Sequence, residues 1–121
     1  MTHVTLAVTG SISAYKAADI TSQLGKLGYS VSVLMTEAAS HFITPLTLQV
    51  LSKNPVSLDL MDEPRPDKVN HIEIGKETNL FLVAPATANT IAKLANGLAD
   101  NMVTATALAL PSHVKKAIAP A

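Results

Sequence analysis

Three short polar stretches, each directly behind an apolar run, hold residue types that suit ligand binding. The first is Thr9-Gly10-Ser11-Ile12-Ser13. Its glycine allows a tight turn, and two hydroxyls stand beside the free backbone N–H groups of a helix start. Such a group cradles one phosphate. It is not G-x-G-x-x-G, which disfavours a dinucleotide. Nor is it a P-loop, given where Lys16 falls relative to Gly10. The second stretch, Thr36-Glu37-Ala38, suits a helix cap as well as a ligand. The third, Pro85-Ala86-Thr87-Ala88-Asn89-Thr90, has more polar chemistry than one cap needs, and its small alanines let a ligand approach the backbone.

His71 is the best acid–base candidate. It ends an acidic stretch and precedes apolar Ile72 and Ile74. An imidazole titrates near neutrality, so it can move a proton or hold a carboxylate. A lone surface histidine has the same local sequence. His3, His41 and His113 give weaker signals, and no pair of histidines has metal-ligand spacing on a helix, so no metal is expected. Asp59, Asp62, Glu63 and Asp67 read as a solvated loop.

The elements that must position these stretches alternate. Val4–Val8 is a buried strand. Ala17, Ile20, Leu24 and Leu27 form one apolar face of a helix that ends at Gly28. Residues 29–35 form a second strand, which completes a βαβ unit and makes the two strands parallel. Thr36-Glu37 starts a helix, and Thr44-Pro45 starts another that ends at Asn54-Pro55. Val56–Leu58 is a short strand, 59–70 a loop and 71–75 a helical turn. Leu80–Ala84 is a buried strand stopped by Pro85. Helices follow from Thr87 and over Asp100–Leu110, then a strand from Lys115. The class is α/β, a three-layer flavodoxin-like or Rossmann-like fold with a mainly parallel sheet.

Composition narrows the function. Over 121 residues, nine basic side chains balance nine acidic ones. A neutral chain with one arginine, Arg65, lacks the footprint of a nucleic-acid binder or a membrane-surface protein. The longest apolar run, Met102–Leu110, is far short of the roughly 20 residues of a membrane span. A cytoplasmic protein is the default. Aromatics are only 3%, so Ala, Leu, Val and Ile must build the core. Without cysteine there is no disulfide scaffold, no Cys-ligated zinc and no cysteine nucleophile among these residues.

Several strings together are specific: Gly10–Lys16, Met35-Thr36-Glu37-Ala38-Ala39, His71-Ile72-Glu73, Ala84–Thr90 and Gly97-Leu98-Ala99-Asp100-Asn101. In this order the chain resembles the homo-oligomeric flavin-containing cysteine decarboxylases from about Thr5 onward. The resemblance implies a single FMN-binding domain over 1–121. Gly10, Ser11 and Ile12, then Thr36, Glu37 and Ala38, then Thr87, Ala88, Asn89 and Thr90 would hold the cofactor, with Ala121 at a further flavin-contacting position. FMN carries one phosphate, in keeping with the single Gly-Ser turn. His71 matches the family's active-site histidine.

By the same resemblance the substrate is phosphopantothenoylcysteine, decarboxylated to phosphopantetheine in coenzyme A synthesis. Its cysteinyl side chain is oxidised to a thioaldehyde, carbon dioxide leaves because the thiocarbonyl accepts the electrons, and a hydride returns from the reduced flavin. The expected assembly is a homotrimer or homododecamer, and helix Asp100–Leu110 packs either in its interface or on its own sheet. Two family features are expected beyond Ala121: the rest of a motif that begins at Pro120-Ala121, and a flap cysteine. The domain therefore reads as incomplete, and the 121-residue form as inactive. The alternatives are decarboxylation of a peptide's C-terminal cysteine and a non-catalytic FMN-binding regulatory subunit. Flavin prenyltransferases share the fold, but His71-Ile72-Glu73 does not suit them.

Overall fold

The computed structural model describes residues 2–58, 74 and 76–121. The loop expected at 59–70, most of the turn at 71–75, and His71 lie outside the described residues. Among the described residues, five strands form one parallel sheet: β1 (His3–Val8), β2 (Ser30–Met35), β3 (Val56–Ser57), β4 (Leu80–Ala86) and β5 (Lys115–Pro120), in the order β3-β2-β1-β4-β5. The helices among these residues include α1 (Lys16–Lys26), α2 (Pro45–Ser52), α3 (Ala88–Asn96) and α4 (Met102–Leu108), with 3-10 turns at Ile12–Tyr15 and Ala38–His41, and Ile74, Lys76 and Glu77 are also helical. This is the expected flavodoxin-like α/β architecture.

Side chains alternate across a strand, so each strand feeds two cores. On one face Leu6 and Val8 of β1 meet Val33 and Met35 of β2, with Ala14, Ala17 and Leu48 from the helical side. On the other, Ala7, Leu34, Phe81 and Val83 pack with Met102 and Val103 of α4. Strands buried on both faces read as near-continuous apolar runs, which is why β1 and β4 stood out in the sequence. Met102 and Val103 of α4 pack on the chain's own sheet.

Several local expectations change. The stretch after Gly10 opens with a 3-10 turn, and α1 begins only at Lys16. Leu27, expected on the apolar face of α1, is exposed: it falls on the C-cap, past the last packed turn, before Gly28 at φ 92°. Thr36-Glu37 opens a 3-10 turn rather than an α-helix. Pro85 does not stop β4, which runs on to Ala86. The β4–β5 register shifts between Val83 and Ala86, so the missing N–H of Pro85 breaks no regular ladder. α4 ends at Leu108, two residues earlier than expected, and a capping box between Asn101 and Thr104 fixes its start.

At the amino edge of the sheet, half-buried His3 holds three strands together. Its N–H donates to Asn79 Oδ1 at 2.7 Å, its carbonyl accepts from Asn79 N at 2.9 Å, and its Nδ1 lies 3.0 Å from Ser30 Oγ. Burial lowers the His3 pKa below the ordinary 6.5, against a smaller opposing pull from Glu77. The unfolded chain therefore binds this proton at higher pH than the folded one, so stability rises with pH through the region just below 6.5. The urea midpoint is expected to fall between pH 7.5 and pH 5.5, and to fall less in His3→Gln. An equal fall in both proteins would remove His3 from the effect.

Candidate functional site

The sheet changes winding direction at β1 and β4: the connection after β1 crosses to the α1 side, and the one after β4 crosses to the α3 side. Ligands of open parallel sheets bind in the crevice at such a reversal, at the carboxyl ends of the strands. All three polar stretches arrive there.

The loop after β1 contains Ser11 as the cap of the 3-10 turn. Its Oγ accepts from Ser13 N at 3.2 Å and lies 3.0 Å from Ser13 Oγ. Gly10 does not adopt a left-handed φ, so a tight turn is not what requires glycine here. A close approach does: a Cβ on Gly10 would lie 2.5 Å from Ala38 Cβ and 3.0 Å from the Ala38 carbonyl carbon. The loop after β2 is thus pressed against the loop after β1. Thr36 is buried there. Its amide donates to Val8 O at 3.0 Å, and its Oγ1 accepts from Ala39 N at 3.2 Å.

The loop after β4 ends in a cap. Thr87 Oγ1 accepts from Thr90 N at 3.1 Å and lies 3.1 Å from Thr90 Oγ1. The first turn of α3 has free N–H groups and the positive end of the helix dipole. Thr9, fully buried at the end of β1, bonds across to this loop through Pro85 and Thr87.

These loops line an open cavity of about 350 Å³. Of the residues singled out in the sequence, Gly10, Thr36, Glu37, Ala38, Thr87, Asn89 and Thr90 line it. Ser11 and Ile12 continue the first loop without lining it, and Ile12 is 78% exposed. Ala88 is exposed on the first turn of α3. Ala121 follows β5 and donates its N–H to Ala86 O at 2.9 Å, one residue before the Thr87 loop.

Lys93, Asp100 and Asn101 also line the cavity, and sequence reasoning did not assign them to it. Lys93 Nζ meets Asp100 Oδ2 at 3.0 Å. Two signals were available: Lys93 stands one helical turn beyond Asn89 and Thr90, and Asp100-Asn101 closes one of the strings that carry the resemblance. Among the described residues, Lys93 is the cavity's one cationic side chain, and no cluster of His, Asp or Glu could hold a metal. No helix among them is long and apolar enough to cross a membrane.

A parallel sheet with hydroxyls and a helix N-terminus gathered at its winding reversal defines an α/β protein of the nucleotide-binding class. The sequence pattern of the flavoprotein family matches residues 1–121, and the chain belongs to that family. It is 63% identical, over 118 residues, to a probable phosphopantothenoylcysteine decarboxylase of Streptococcus mutans serotype c, covering 98% of this chain and 66% of that protein. It is 48% identical over 119 residues to the coenzyme A biosynthesis bifunctional protein CoaBC of Bacillus subtilis, covering 98% of this chain and 29% of that one. The chain thus spans just under two thirds of the first relative and under a third of the second. Among solved structures, the FMN-dependent cysteine decarboxylase SpaF superposes with a TM-score of 0.90 at 29% identity, over 99% of this chain and 68% of that one. A PPC decarboxylase mutant complexed with pantothenoylaminoethenethiol gives 0.81 at 28%, over 99% and 66%.

The contact between Gly10 and Ala38 makes a testable demand. Gly10→Ala is expected to lose about 1–3 kcal/mol of stability from overpacking. Ala38→Gly in the same chain should restore part of that loss, since it removes the 2.5 Å contact and leaves the 3.0 Å one. Urea unfolding of the two single variants and the double variant measures the coupling. Simple additivity would show that the two loops are not in contact.

Proposed function

We propose that this chain is the FMN-binding part of an enzyme that decarboxylates 4'-phosphopantothenoylcysteine to 4'-phosphopantetheine in coenzyme A biosynthesis. One observation carries the cofactor assignment: the loops after β1, β2 and β4 meet at a single cavity of about 350 Å³ lined by hydroxyls, an amide and small side chains. The likeness to the Streptococcus mutans protein supports the choice of substrate. A cytoplasmic homotrimer or homododecamer belongs to the same reading.

The donor set suits FMN. A monophosphate and a ribityl chain call for backbone N–H groups and short hydroxyls rather than a dinucleotide fingerprint. Gly10, Ser11 and Ile12 would offer the turn at the α1 side. Thr87, Ala88, Asn89 and Thr90 would offer the first turn of α3, whose dipole favours an anion. Thr36, Glu37 and Ala38 would close the second wall, and Ala121 would stand beside the third loop. FMN held by these residues would supply the reversible two-electron redox chemistry of the decarboxylation.

The chain's own part is to bind, orient and exclude water. Hydroxyls fixed by caps keep their lone pairs in place without reorganising. His71 is the proposed catalytic residue. Its imidazole would hold the substrate carboxylate or take a proton beside it, a role open to a group that titrates near neutrality.

The protein purified in full is expected to be yellow, or to take up added FMN with quenching of flavin fluorescence. A colourless protein that takes up none overturns the cofactor assignment. His71→Asn should keep FMN while carbon dioxide release from phosphopantothenoylcysteine falls by about 10²–10⁴-fold, the range for a lost acid–base group. Unchanged release would remove His71 from catalysis. Release only from a peptide ending in cysteine would move the substrate to that class.

A further inference from the structure

We propose that Thr9 is a positioning residue for the flavin site: its hydroxyl fixes the loop that opens α3 against the loop that opens the α1 side. The proposal rests on the FMN reading above. Thr9 does not line the cavity. It is fully buried and stands directly before Gly10, which does line the cavity.

A hydroxyl has one proton to donate and lone pairs to accept. Thr9 uses both kinds of group on the same distant loop. Oγ1 donates to Pro85 O at 2.5 Å, across 76 residues, and accepts from Thr87 N at 3.0 Å, across 78. The Thr9 amide adds a longer bond to the same Pro85 carbonyl, at 3.3 Å. Three bonds thus converge on two backbone groups of one turn, and two of them belong to a single side-chain atom.

The consequence for the site follows along the chain. Thr87 is the cap of α3, and its own hydroxyl holds the Thr90 amide at 3.1 Å. Thr87, Asn89 and Thr90 all line the cavity. Where the Thr87 amide sits therefore sets where the first turn of α3 points. Opposite that turn, Gly10 is held by covalent continuity with Thr9 and by its close approach to Ala38. Thr9 fixes the distance between these two walls. A valine at the same position has nearly the same shape but cannot form either bond, and it leaves the half-buried Thr87 N–H without its acceptor.

The test compares wild type, Thr9→Ser and Thr9→Val in the full chain. FMN affinity is read by quenching of flavin fluorescence, and hydrogen exchange is read at the Thr87 amide of the apoprotein. Thr9→Ser keeps both bonds and should bind FMN within about threefold of wild type. Thr9→Val should bind about tenfold more weakly, the scale of one lost hydrogen bond, with Thr87 exchange faster by a similar factor. Wild-type affinity in Thr9→Val overturns the proposal, as does a Thr9→Ser protein no better than Thr9→Val. If Thr9→Val does not fold, Thr9→Cys, with a weakly bonding thiol, replaces it and is read in the same way. A Thr87 amide that is unprotected in wild type overturns the proposal without any variant. If wild type takes up no FMN, the cofactor reading fails, and Thr87 protection in the apoprotein still decides whether the Thr9 bond exists.

Discussion

β1 is hydrogen-bonded on both sides, to β2 from His3 to Val8 and to β4 from Val4 to Ala7. Parallel strands in register end at one level, so the loops after β1, β2 and β4 leave the sheet side by side. The winding reversal between β1 and β4 then sends their helices to opposite faces and opens a crevice between them. Without that pairing, Gly10, Thr36 and Thr87 would be three unrelated cap positions. With it, they become walls of one cavity.

Cross-loop contacts hold the walls together. Val8 O receives the Thr36 amide, Gly10 packs on Ala38, and Thr9 bonds to Pro85 and Thr87. None of these contacts uses a long side chain. A core short of aromatic residues has the same character: Ala14, Ala17 and Ala39 let helices and turns sit close to the sheet. Close packing of small residues transmits displacement poorly absorbed elsewhere, so a misplaced methyl group at Gly10 acts on two loops at once.

Much of this was legible in the sequence, for a definite reason. Strands buried on both faces read as near-continuous apolar runs, so β1 and β4 are legible in the sequence. Caps have their own chemistry, which marked Thr44-Pro45 and Thr87 as helix starts. Features set by partners distant in sequence were not legible. Pro85 looked like a strand end because the register shift that accommodates it belongs to the pairing with β5. Lys93 and Asp100 look like ordinary surface charges until α3 and the cap of α4 are placed around the same cavity. Gly10 reads as a turn residue in the sequence; its demand in the structure, room for Ala38, depends on a residue 28 positions further along the chain. His71 remains an assignment from sequence and resemblance.

The hydroxyls at the cavity are mostly engaged before any ligand arrives: Thr36 with the Ala39 amide, Thr87 with the Thr90 amide. Threonine has one rotatable bond to its heavy atoms, and these caps have already chosen its rotamer. Immobilising a long, rotamer-rich side chain on binding costs roughly 0.5–1.5 kcal/mol of lost freedom. Of the cavity's side chains, only Glu37 and Lys93 have that much freedom to lose, and Lys93 is already tethered to Asp100. Association here is therefore entropically inexpensive on the protein's side, and most of the disorder given up on binding would belong to the ligand's own flexible chain.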